Sequence, residues 1–156
     1  MHLRRPVPRL RQPTPWAPEP SGRGLRVGLL GGSFNPAHDG HRYVSIEALR
    51  RLGLAQVWWL VPPQNPLKAT AGMAPLAERV AAANAVARHP RLKVMALETR
   101  LGTRFTADTL ARLARWRGYR FVWLMGADNL AQLPRWWRWR GILAGSPIAV
   151  FARHPY

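Results

Sequence analysis

The 156-residue chain contains no cysteine. That excludes a disulfide scaffold, a zinc ribbon, an iron–sulfur site and a thiolate nucleophile. Acidic residues are also scarce, 7 against 24 Lys and Arg, and only two of the basic residues are Lys, at positions 68 and 93. Long apolar runs are missing. Val57–Pro63 and Phe121–Gly126 are among the longest, and both fall far short of the roughly 20 residues that cross a bilayer as a helix. With 47% hydrophobic residues the chain is nevertheless no disordered polycation, and its length suits one domain with a real core. A cytoplasmic protein is the simplest expectation.

The net charge of +17 invites a nucleic-acid reading. The arginines, however, are spread along the whole chain rather than gathered on one face, as GC-rich codon usage alone would produce. The charge by itself decides nothing. A basic binding module that uses Arg and Trp on nucleic acid stays as the non-enzyme alternative, and it would show affinity falling steeply with salt.

Residues 1–24 hold six prolines, five arginines and one acid, Glu19. Such a segment buries too little apolar surface to offset the entropy of ordering it, so a disordered tail is expected there. From Leu25 onward, short apolar runs alternate with helix-period stretches. The runs Leu25–Gly31, Gln56–Val61, Leu92–Leu97, Tyr119–Met125 and Pro147–Phe151 read as buried strands. Between them, His41–Leu52, Pro75–Arg88 and Ala107–Arg117 carry apolar residues at helical spacing, with Gly53 and Gly118 placed as C-terminal cap glycines and Pro75 in a first turn. Alternation of this kind predicts right-handed crossovers and a parallel sheet, a Rossmann-like three-layer α/β/α domain over residues 25–156. Ligands of such sheets bind beyond the carboxyl ends of the strands. The loops after the first, second and fourth strands, Gly32–Gly40, Pro62–Gly72 and Gly126–Pro134, are expected at that edge.

Gly31-Gly32-Ser33-Phe34-Asn35-Pro36-Ala37-His38-Asp39-Gly40-His41 is the most informative of these segments. Adjacent glycines let backbone approach a ligand closely, and the helix that follows aims unpaired N–H groups into the same space. The loop is neither a GxGxxG fingerprint nor a Walker A loop. His38 and His41, three residues apart at the helix start, could neutralise charge on a phosphoryl group or a departing pyrophosphate without any covalent nucleophile. A metal pair is the competing reading, but no third His or Cys lies near in sequence.

The string resembles the GxFxPxHxGH signature of the HxGH nucleotidyltransferases, in the form seen in bacterial nicotinate-nucleotide adenylyltransferases. The resemblance runs over Leu25–Tyr156 and includes Val61-Pro62-Pro63-Gln64-Asn65-Pro66-Leu67-Lys68, Arg104-Phe105-Thr106-Ala107-Asp108-Thr109-Leu110, Gly126-Ala127-Asp128-Asn129-Leu130 and Leu133-Pro134-Arg135-Trp136-Trp137. It implies transfer of the adenylyl group of ATP to nicotinate mononucleotide, giving deamido-NAD and pyrophosphate, with Mg²⁺ bound through the ATP phosphates. It further implies that Gly31, Gly32, Ser33, Phe34, Gly126 and Asp128 bind ATP, and that His38 and His41 bind the triphosphate and stabilise the transition state. Trp136 would stack on the nicotinate ring, and Thr106 with the backbone N–H of Trp137 would hold its carboxylate. For Lys68 a phosphate contact and a solvated loop charge both stay open. Thr106 could equally be the N-cap of its helix and Asp128 a turn former. Trp136, Trp137 and Trp139 are spaced for one amphipathic turn, in which at least one belongs to the core.

Phe105 stands where the family commonly has Tyr, and no Ser-Ser-Thr occurs anywhere in the sequence. In the family such a motif, beyond the position of Tyr156, grips the ATP phosphates. The resemblance therefore implies a domain cut short, a partial reading frame of an enzyme, with weak or no turnover of its own. Related acceptors, nicotinamide mononucleotide or phosphopantetheine, and an inactive nucleotide-binding homologue are the alternatives. Oligomeric state is not legible.

Overall fold

The computed structural model describes Pro18 and residues 21–63 and 72–152. The expected tail before Pro18, and Lys68 with most of the loop after the second strand, lie outside the described residues.

Five parallel strands form one sheet, β1 (Ser21–Gly31), β2 (Gln56–Leu60), β3 (Leu92–Met95), β4 (Arg117–Gly126) and β5 (Ile148–Phe151), in the order β3-β2-β1-β4-β5. The Rossmann-like expectation is met. Order reverses between β1 and β4, and that switch point is where such sheets open a crevice. Period-two alternation divides the core between the two faces. Trp59 joins Phe34, Val44, Ala48 and Ala83 under helices α1 (Asp39–Leu52) and α2 (Leu76–Ala87). Its neighbour Trp58 joins Leu97, Leu110, Leu113 and Ile142 under α3 (Leu97–Leu101), α4 (Thr106–Leu113) and α6 (Trp139–Gly145). A short helix, α5 (Ala127–Leu130), and a 3₁₀ turn, Leu133–Arg135, link β4 to α6. No helix among the described residues is long and apolar enough to cross a membrane.

Gly53 caps α1 in the left-handed conformation as expected (φ 59°). Gly118 does not cap α4. That helix ends at Leu113 with Ala114 as its C-cap, and Gly118 lies inside β4 at φ 79°. The reason is a close backbone approach. β1 begins at Ser21, four residues ahead of the expected Leu25, and an added Cβ on Gly118 would run into the carbonyl of Gly22. The same pairing orders residues 21–24, which the sequence placed in the tail. Replacing Gly118 by Ala is expected to cost more than about 1 kcal/mol, from backbone strain and from this collision. Urea denaturation reads it as a lowered midpoint; an unchanged midpoint would mean that the Gly22–Gly118 approach contributes nothing.

Candidate active site

The loop between β1 and α1 lies over the crevice. His38 is the N-cap of α1, and its Nδ1 accepts from the Gly40 N–H at 3.1 Å, while the Nδ1 of His41 accepts from the His38 N–H at 3.1 Å. This is a capping box built from two imidazoles. Because both Nδ1 atoms are acceptors, each neutral ring carries its proton on Nε2. The rings lie 4.0 Å apart, and the His41 ring rests 4.6 Å from that of Phe34, which in turn stacks on Trp59 at 5.5 Å. Phe34 is buried and adopts a left-handed backbone (φ 48°). It is the platform under His41. The Trp59 indole N–H donates to Ser45 Oγ, and Ser45 donates to the His41 carbonyl, both at 2.8 Å, so the first turn of α1 is fixed to β2.

Two loops, β1–α1 and β2–α2, are tied together behind the histidines. The Asn35 amide donates to the Gly72 carbonyl at 2.8 Å and accepts from the Ala74 N–H at 3.1 Å. Arg79 of α2, almost wholly buried, donates to the carbonyls of Ser33 (3.0 Å), Pro62 (2.8 Å) and Ala74 (2.9 Å). Burial lowers its pKa, yet a guanidinium stays charged at any ordinary pH. Sequence reading passed over Arg79 because an arginine in a helix is normally a solvated one; its only local signal is its place on the Leu76, Val80 and Ala83 side of α2.

Two adjoining cavities open here. One, of about 350 Å³, is walled by Gly31, Gly32, Ser33, Phe34, His38 and His41, with Gly126 and Asn129 opposite. The other, of about 210 Å³, shares Gly31, Gly32 and Asn129 and adds Thr106, Trp136, Glu98 and Arg104. Gly31 is a close-approach position, since a Cβ there would lie 2.6 Å from the buried Trp123 ring. A larger open cleft of about 480 Å³ lies along α4 between Arg104, Arg112 and Arg115, and holds neither the glycines nor the histidines.

Thr106 is the first residue of α4, not its N-cap, which is Phe105 with no side-chain cap bond. A buried contact between the Thr103 and Thr109 hydroxyls (2.7 Å) clamps the preceding loop onto the helix. Trp136 stands edge-on to Trp123 at 6.3 Å. The three tryptophans do not share one helical turn: Trp136 is extended and Arg138 left-handed. Trp137 is instead exposed and tilted against Phe105 at 5.7 Å, outside both cavities, while Trp139 packs on the core. Asp128 sits exposed in α5 and lines neither cavity; Asn129, which the sequence did not single out, lines both. A four-residue helix turns its residues by about 100° each, so neighbours in it cannot share a direction. Among the described residues no group of three His, Asp or Glu gathers to hold a metal ion.

Residues 29–156 match the model of the cytidylyltransferase-like family. A relative from Parvibaculum lavamentivorans, named "probable nicotinate-nucleotide adenylyltransferase", is 63% identical over 131 residues, 83% of this chain and 65% of that protein. One of the same name from Cereibacter sphaeroides is 61% identical over 128 residues, 81% of this chain and 69% of that one. The chain thus spans about two thirds of the length of these relatives. Among solved structures, the Plasmodium falciparum nicotinic acid mononucleotide adenylyltransferase complexed with NaAD superimposes with a TM-score of 0.66 at 14% identity, over 85% of this chain and 77% of that one, a likeness of fold. With the parallel sheet, the glycine–histidine loop and these matches together, the chain belongs to the cytidylyltransferase-like family, among its nicotinate-nucleotide adenylyltransferase members.

Proposed function

We propose that the protein transfers the adenylyl group of ATP to nicotinate mononucleotide in NAD biosynthesis, a reaction suited to a cytoplasmic setting. The observation that carries this is the pair of adjoining cavities, one walled by the glycine loop and two Nε2–H imidazoles, the other by an aromatic face and a hydroxyl. Two substrates that must meet at a phosphorus atom fit two cavities with a shared glycine wall. The names of the relatives point the same way.

In this reading ATP lies over Gly31, Gly32 and Ser33, with its phosphates at the N-terminus of α1, where the helix dipole favours negative charge. Asn129 and the Gly126 backbone wall the nucleotide side, with Asp128 beside them at the rim. The nicotinate ring stacks on Trp136. Its carboxylate takes a bond from the Thr106 hydroxyl. A 5′-phosphate oxygen of the mononucleotide attacks the α-phosphorus in line; the new P–O bond forms as the α–β bridge breaks, and pyrophosphate leaves with the electron pair. His38 and His41 donate Nε2–H to the phosphate oxygens as charge builds. Magnesium fits as part of Mg·ATP, since the cavity under the glycine–histidine loop is lined by nitrogen and hydroxyl groups and by no carboxylate. When bound it would supply charge neutralisation on the phosphates.

Pyrophosphate release from Mg·ATP and nicotinate mononucleotide by the full-length protein tests the reading, and its absence from folded protein would sink it. In the same assay Trp136→Ala is expected to raise KM for the mononucleotide roughly tenfold, from the lost stacking, with KM for ATP little changed. Equal rises in both would remove Trp136 from the acceptor pocket.

A further inference from the structure

The smaller cavity holds a group that adenylyl transfer, as derived above, does not use. Glu98, in the first turn of α3, is only 7% exposed, yet it lines this cavity together with Thr106 and Trp136. Its carboxyl has no hydrogen-bond or ion-pair partner among the described residues. Burial pushes its pKa up to about 7. A second polar group in the same wall, the Trp123 indole N–H, is likewise buried with no partner. Buried polar groups are nearly always paired, because each unpaired one costs about 1–3 kcal/mol. An unpaired buried indole N–H and a carboxyl lining the same cavity mark a place that a bound molecule completes.

The charged groups on the surrounding elements are Arg100 on the same helix, Lys93 on β3, Arg104 in the loop to α4, Asp108 and Arg112 on α4, Asp128 on α5 and Arg135 in the 3₁₀ turn. Of these only Arg104 lines the cavity. Arg100 and Arg112 donate to the carbonyls of Pro18 and Leu101. An anion entering the cavity therefore meets one guanidinium and one carboxyl, and the state of the carboxyl decides whether it is welcomed.

We propose that Glu98 reads the exocyclic group of the pyridine substrate: as a neutral acid it donates to the carboxylate of nicotinate mononucleotide, and as a carboxylate it accepts from the amide of nicotinamide mononucleotide. This rests on the pyridine reading of the cavity. Acidity then sets acceptor choice. Below pH 7 the protonated form holds the acid substrate. Above it, affinity for the acid falls by about tenfold per pH unit as the competing ionised form takes over, while the amide gains as Glu98 ionises and then levels off.

The experiment is calorimetric binding of each mononucleotide to the full-length protein between pH 6 and 8.5. The quantity read is the ratio of acid to amide affinity, in which titration of the shared 5′-phosphate and of the histidines cancels. That ratio is expected to fall more than tenfold across the range in the natural protein and to stay flat in Glu98→Gln, which is neutral at every pH. A flat ratio in the natural protein overturns the proposal without need of any variant. An equal slope in folded Glu98→Gln overturns it too. If neither mononucleotide binds at any pH, it is the pyridine reading of the cavity that fails, and the proposal with it.

Discussion

Arg79→Met is expected to destabilise the fold by about 3–5 kcal/mol, the cost of removing a buried charged donor from acceptors that stay behind. Three carbonyls on two loops, Ser33 between β1 and α1 and Pro62 and Ala74 at the two ends of the β2–α2 connection, would lose their donor together. The substituted side chain nearly fills the volume but supplies no N–H. Since Ser33 belongs to the glycine–histidine loop, the loss should also appear as weaker Mg·ATP binding in whatever fraction stays folded. Arg79→Lys should recover only part of the stability, because a point charge cannot reach three acceptors as a planar fork does. Urea denaturation measures the first effect and calorimetry the second. A loss under 1 kcal/mol with nucleotide affinity unchanged would show that the two loops hold their positions without this arginine.

His41→Ala is expected to cut adenylyl transfer by about 10²–10³-fold, the usual loss when one preorganised donor to a developing charge is removed. A smaller stability loss, near 1 kcal/mol, should accompany it, because the His41 Nδ1 also accepts the His38 N–H in the capping box. His41→Asn separates the two roles. Its amide oxygen can keep the capping bond, while no donor extends to the position of the imidazole Nε2. Stability should then be retained and turnover stay low, as read by pyrophosphate release beside a thermal melt. Full turnover in either variant would remove His41 from the reaction.

Both results depend on how α1 is mounted. Phe34 stacks beneath the His41 ring, and Trp59 reaches α1 through Ser45. Substitutions far from substrate, such as Ser45→Ala, act on the same helix start through these contacts, and differ from His41→Ala in leaving the Nε2 donor present.

Strand and helix placement was legible along most of the chain because both periodicities are local. A buried strand needs only a short apolar run, and α1 declares itself by Val44, Ala48 and Leu52 with Gly53 behind them. The glycine–histidine loop was legible for the same reason, since its glycines, histidines and helix start are consecutive. Gly118 shows the limit: after a helix it reads as a cap, but the carbonyl of Gly22, distant in sequence, decides its place in β4. Thr106 read equally well as a cap and as a ligand contact until α4 began one residue earlier than capping requires.

The sequence by itself determined the class of fold, the strand-to-helix glycine–histidine loop and the pair of imidazoles, all set by neighbours within a dozen residues. Only the tertiary structure decided that Arg79 ties down Ser33 from 46 residues away, that Asn129 rather than Asp128 faces both cavities, that Trp136 and Trp137 part company, and that Glu98 is buried in the cavity wall that holds Trp136. The physical reason is the same in each case. Desolvation and hydrogen-bond partnership belong to the packed surroundings of a residue, and those surroundings come from parts of the chain that its own neighbours in sequence do not specify.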